Sequence, residues 1–231
     1  MCEVDPPAIG PGEILLEMRA CGLCGTDLAK LARPQNSHGA ILGHELAGVV
    51  REVGPGVTRF GPGDRVVAAH HVPCGDCPAC RHGNESMCPQ FKATNIDPCG
   101  FAELIRIPRL HVERVSFPLP GAMPFEVASF TEPLACAVRA VSRSQVLRGD
   151  RVVVVGGGGM GLLIAQVLAA RGAVPVVLEI SERRLALART LGIGPTVNPA
   201  REDVPSAVAE MTGGIGLDGA MLTVVTEAVL S

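Results

Sequence analysis

The apolar positions change rhythm part-way along the chain. From Glu13 to about Val115, short runs of Val, Ile and Leu are separated by turn dipeptides such as Pro11-Gly12, Gly54-Pro55 and Pro62-Gly63. That grammar predicts a mostly β region. After Pro118 the segment Phe125 to Val141 is alanine-rich, and Gly149-Asp150 then turns into the run Arg151 to Val155. From there an alternating α/β pattern is expected. Its elements are a strand at Val152–Val155, a helix at Leu162–Arg171, a strand at Val174–Glu179, a helix at Glu182–Leu191 closed by Gly192, and a last strand at Gly219–Val225. Gly-Asp-Arg-Val occurs at 63–66 and again at 149–152, each time before a valine-rich run. Nothing around it repeats, so it is turn-to-strand grammar. The fold class is therefore α/β with a mostly-β region in front, and the second region holds the first half of a doubly wound parallel sheet.

Composition narrows the function classes. With 231 residues, 47% hydrophobic, the chain is long enough to bury a full core. A net charge of −3 and scattered basic residues give no attraction to a phosphate backbone, so nucleic acid is not an expected partner. Val152 to Ala170 is almost free of polar side chains, but the four glycines at 156–159 would break a membrane helix, and no membrane role is expected. The opening residues, Met1 to Pro7, show neither a basic nor an apolar leader region, which points to the cytoplasm. In that setting nine cysteines favour metal ligation or redox chemistry over a disulfide framework.

Cys74, Cys77, Cys80 and Cys88 form a C-x2-C-x2-C-x7-C array with turn residues Gly75, Pro78 and Gly83. Two-residue gaps let thiolates converge on one ion, and four of them close a tetrahedral zinc site with no open position. Such a site is structural, and zinc affinity becomes local folding energy. Two shorter motifs, Gly22-Leu23-Cys24-Gly25-Thr26-Asp27 and Gly43-His44-Glu45, offer a thiol, an imidazole and carboxylates beside glycine. Asp27 suits either an acceptor for His44 or a helix N-cap. The default for His38, His70, His71, His82 and His111 is surface or loop.

Gly156-Gly157-Gly158-Gly159-Met160-Gly161 fits G-x-G-x-x-G between an expected strand and helix. In that context the N–H groups of Gly159 and Met160 face a pyrophosphate at a positive helix end. Glu179, 18 residues past Gly161, is the expected acid for ribose hydroxyls. A carboxylate there repels a 2′-phosphate, so NAD is favoured over NADP, with Arg184 within reach of the same ribose.

In this order, Cys-Gly-Thr-Asp, Gly-His-Glu, the four-cysteine loop, Thr131-Glu132-Pro133-Leu134 and the glycine loop, the chain resembles the zinc-containing medium-chain dehydrogenases. It is similar to their polyol (sorbitol-dehydrogenase-like) branch in particular, because Glu132 stands where other alcohol dehydrogenases carry a cysteine ligand. The resemblance implies a GroES-like β-barrel catalytic domain over 1–140 and the first part of a Rossmann NAD-binding domain over 141–231. It implies two zinc ions per chain: a structural one on the four cysteines, and a catalytic one on Cys24 and His44, with Glu132 bound directly or through water and Glu45 able to exchange in. Thr26 would take the substrate hydroxyl proton. Many relatives carry a histidine three residues further on to pass that proton outward, and here the position is Ala29. The implied reaction moves hydride between a secondary alcohol, polyol or sugar-like substrate and NAD, in a homo-oligomer of two or four subunits. Because the chain resembles a family member entered near the second strand and left inside the nucleotide domain, the alternative is a non-catalytic zinc-binding fragment. A zinc-free quinone or enoyl reductase is set aside, since those relatives lack the cysteine array.

Overall fold

A computed structural model describes residues 3–32 and 41–224. The chain divides into two compact units, Met1–Glu132 and Pro133–Ser231. In the first, β1 (Ile14–Gly22) leads into α1 (Gly25–Leu31), followed by β2 (Glu45–Val53), β3 (Arg65–Ala68), α2 (Pro78–Arg81), α3 (Pro89–Ala93), β4 (Leu104–Ile107), α4 (Arg109–Arg114), β5 (Ser116–Pro118) and α5 (Phe125–Ala128). The strands form one antiparallel sheet in the order β4-β1-β2-β3-β5. Alternation puts Ile14 and Leu16 of β1 and Ile105 and Ile107 of β4 on one face, all fully buried. The β1–β2 register pairs Gly22 with Glu45. That pairing brings the end of β1, and Cys24 just beyond it, to the start of β2. Arg65 donates to the carbonyls of Pro120, Gly121 and Met123 and lies 4.2 Å over the Phe125 ring, tying the segment after β5 to β3.

Helix α6 (Thr131–Arg143) runs from the last residues of the first unit into the second. Then come β6 (Arg151–Val155), α7 (Gly159–Ala170), β7 (Val174–Leu178), α8 (Glu182–Thr190), β8 (Thr196–Val197), α9 (Val204–Thr212) and β9 (Gly219–Leu222). The sheet order is β8-β7-β6-β9, parallel throughout. Val152 to Val154 and Val176 to Val177 are buried, the near-continuous apolar run of strands covered on both faces. Ala137 and Val141 of α6, Leu162, Ala165 and Leu168 of α7, and Leu185 and Ala188 of α8 share that core.

Three details depart from the sequence reading. Helix α7 starts at Gly159, not Leu162, because Gly158 is an extended N-cap (ψ −177°) and Gly161 must lie against the Gly156 carbonyl with no room for a side chain. The alanine-rich stretch gives two helices, α5 and α6. Strand β8 and helix α9 were not expected, although α9 has Asp203 capping Ser206 at 3.0 Å and a left-handed Gly213 (φ +61°) at its end. Val225, the end of the last expected strand, lies outside the described residues, as does His38. Among the described residues no helix is long and apolar enough to cross a membrane.

Candidate metal and nucleotide sites

Cys24 is the N-cap of α1, and its sulfur accepts the Thr26 amide at 3.4 Å. Asp27 closes the capping box by accepting the Cys24 amide at 3.1 Å. It is fully buried, and its other oxygen takes the Gly43 amide at 3.2 Å and faces His44 Nδ1 at 3.4 Å. One carboxylate thus caps the helix, holds the loop before His44 and turns that imidazole. Asp27 is the third helical residue and not the N-cap weighed for it, which is Cys24; it faces His44 as an acceptor would. With Nδ1 facing Asp27, Nε2 is the nitrogen left for a cation.

Glycine makes the close approaches possible. A side chain at Gly22 would overlap Glu45 Oε2. At Gly43 (φ +97°) a Cβ would sit 2.8 Å from the Phe101 amide. One ligand atom each from Cys24, His44 and Glu45 falls within a 4.8 Å set. Glu132, in the first turn of α6, is outside that set, although its charge acts on Glu45. Burial, then the Glu132 charge, holds the Glu45 carboxyl above its ordinary value. Thr26 is exposed beside Cys24.

The four-cysteine loop is a second set, its sulfurs also within 4.8 Å of one another. A tetrahedral zinc with bonds near 2.3 Å would space sulfurs about 3.8 Å apart. The separations are 3.5 Å for Cys77–Cys80, 3.6 Å for Cys74–Cys88 and 3.9 Å for Cys74–Cys80, so the loop fits such an ion. Amides of Asp76 and Cys77 point at Cys74 Sγ, and the Cys74 amide at Cys88 Sγ. The bond from the Cys74 amide is the main reason the Cys88 thiol is lowered to about 6, whereas burial raises Cys80 to about 12.

In the second unit, Gly156 (φ +102°) and Gly157 form the turn after β6. Gly158 offers α7 no side-chain cap, so the amides of Gly159, Met160 and Gly161 point out of a positive helix end. Glu179, 6% exposed, accepts Gly157 N–H at 2.8 Å and Ser181 N–H at 2.9 Å and pairs with Arg184 at 3.3 Å. Burial would raise its carboxyl, but those donors outweigh it and hold it below its ordinary value.

The alcohol dehydrogenase GroES-like domain family matches residues 10–117, and the zinc-binding dehydrogenase family matches 159–231. L-threonine 3-dehydrogenase of Pyrococcus abyssi is 39% identical over 230 residues, 94% of this chain and 63% of that one. The crystal structure of 2R,3R-butanediol dehydrogenase from Bacillus subtilis superposes with a TM-score of 0.83 at 31% identity, over 99% of this chain and 68% of that one. A structure described as a zinc-binding dehydrogenase of Sinorhizobium meliloti, bound to NADP, gives 0.84 at 30% identity, over 99% and 67%. The chain belongs to the zinc-binding dehydrogenase family. It is a GroES-like domain followed by a Rossmann-type parallel sheet, and it spans 63% of the length of the curated threonine dehydrogenase above.

Of the histidines given a surface or loop default, His70 and His71 lie in the loop after β3, half-buried, whereas His111 departs from it, buried in α4. His70 and His71 stack beside His44, with ring centroids 4.8 Å (His44–His70) and 4.1 Å (His70–His71) apart, and His111 is 1% exposed with Nε2 3.1 Å from the His70 carbonyl. Burial, then the neighbouring histidines, lowers His70 to about 3, and burial also lowers His71 and His111. The adjacent His-His pair ahead of the first loop cysteine was the one readable signal.

Proposed function

We propose that this chain is the zinc- and NAD-binding portion of an alcohol dehydrogenase that oxidises a secondary alcohol, polyol or sugar-like small molecule. The observation that carries the reading is the convergence of Cys24, His44 and Glu45. A thiol, an imidazole and a carboxylate make a three-ligand set that suits zinc while keeping one position open. The orientation of His44 by a buried carboxylate fits a ligand that must present one nitrogen. Glu45 and Glu132 serve as alternative third ligands, a reading supported by the charge of Glu132 acting on Glu45. When bound, zinc supplies Lewis acidity toward the carbinol oxygen and the nicotinamide supplies the hydride acceptor.

The protein's own groups do the rest. Thr26, exposed and two residues past Cys24, receives the hydroxyl proton and hands it to water, because Ala29 offers no onward base. The α7 amides take the pyrophosphate, and Glu179 with Arg184 takes the adenosine ribose. The carboxylate favours NAD over NADP. Two zinc ions per chain, a homo-oligomer of the full-length form and a cytoplasmic setting complete the proposal. The names L-threonine 3-dehydrogenase and 2R,3R-butanediol dehydrogenase each denote secondary-alcohol chemistry in those proteins, so threonine and a vicinal diol belong in the substrate panel.

The test is zinc stoichiometry together with NADH formation at 340 nm, on this chain and on one extended to the length of its relatives. Two zincs and alcohol-dependent NADH from the extended chain support the proposal. Two zincs with no NADH from any alcohol, polyol or hydroxy amino acid defeat it. A single zinc on the cysteine loop, with no turnover, is the outcome expected of a zinc-holding fragment.

A further inference from the structure

We infer that His70 is a positioning residue for His44, the wall that sets the tilt of that imidazole; the inference rests on reading Cys24, His44 and Glu45 as a metal centre. His70 lies two residues past β3, its ring 4.8 Å from that of His44 at 49° and 4.1 Å from that of His71 at 47°. His71 packs in turn on Phe91 at 4.8 Å, and its Nδ1 is bonded to the Thr94 carbonyl. His44 is therefore the first of four rings in a row whose far end is fixed on α3. The His70 backbone is held separately, by His111 Nε2 on its carbonyl and by the Ala69 amide on the Val115 carbonyl at 3.0 Å.

Asp27 holds His44 at one nitrogen only. A ring held at one atom still pivots about that contact, and the other ring nitrogen then swings through the widest arc. Contact with a neighbouring ring removes the pivot. His70 cannot do this by hydrogen bonding through Nδ1, which is buried without a partner among the described residues. An unsatisfied buried nitrogen costs stability rather than adding it, so the ring acts here by its shape.

Cobalt(II) separates the two metal centres in the intact chain. The thiolate-to-cobalt absorption lost in Cys24→Ser belongs to the Cys24 centre, and the remainder belongs to the four cysteines, which also report that the first unit is folded. His70→Ala is expected to weaken Cys24-dependent cobalt binding about tenfold and to change its visible band shape. His70→Phe, which keeps the ring, is expected to restore both. Wild-type affinity and band shape in His70→Ala overturn the inference. A His70→Phe protein that retains the four-thiolate band but binds as weakly as His70→Ala overturns it too. If His70→Ala loses the four-thiolate band, His70→Phe decides alone: wild-type values uphold the inference and weakened binding overturns it. A wild-type chain with no Cys24-dependent band removes the metal-centre reading itself, a result distinct from the others.

Discussion

The four-cysteine loop and the Cys24–His44–Glu45 cluster belong to the same unit but are built in opposite ways. The loop draws every sulfur from residues 74 to 88, and its short helices and turns bring them together within one stretch of chain. The cluster takes Cys24 from a helix cap, His44 from a loop and Glu45 from a strand, and it exists only if β1 pairs with β2 in register. A closed site can be written in local spacing. An open site has to be written in the fold, because its ligands must be held apart from the position they leave free.

Substitutions can break this contrast at either end. The largest effect is expected from Cys88→Ser, which should release the loop metal and cost more than about 4 kcal/mol, as loss of a structural metal does. Zinc analysis and circular dichroism in denaturant would measure it; the chain has neither tryptophan nor tyrosine for fluorescence. Next comes Asp27→Ala, expected to weaken metal binding at the Cys24 cluster by about 10–100-fold while the loop keeps its ion, as read by competition with a chelator. If both sites weaken together, the two are not independent in the way described. Gly22→Ala should displace the Glu45 carboxylate and cost about 1–3 kcal/mol, with denaturant midpoints as the readout.

The smallest effect falls in the second unit. Glu179 titrates below its ordinary value when folded, so the unfolded chain binds the proton more readily. Its contribution is full above the ordinary carboxylate range and is lost as pH falls through the folded value. Glu179→Gln should therefore flatten the acid-side decline of the thermal midpoint, followed by circular dichroism from about pH 6 to about pH 3. An unchanged slope would mean that the Gly157 and Ser181 amides do not depend on that charge.

What could be read from sequence follows the same line. The cysteine array and the glycine loop are contiguous and tightly spaced, so both could be singled out before any coordinates. Strands β6 and β7 were found as short continuous valine-rich runs, and helix α8 because Gly192 closes it. Strand β8 has two residues and carries no period of its own; the parallel ladder of Val177 and Leu178 with Thr196 and Val197 defines it. His111 meets His70 across 41 residues of sequence, a contact that no local pattern encodes. The family likeness pointed to Glu132 as third ligand with Glu45 able to exchange in; the compact set contains Glu45, because β1–β2 pairing delivers that carboxylate directly opposite Gly22.

Asp27 also joins a contact of short sequence range to one of long range. Its bond to the Cys24 amide spans only residues 24 to 27, within the first turn of α1. The other oxygen reaches the Gly43 amide and the His44 ring, sixteen and seventeen residues further along the chain. The capping bond is local, whereas the Cys24 sulfur, the His44 imidazole and the Glu45 carboxylate come together only once β2 has paired with β1.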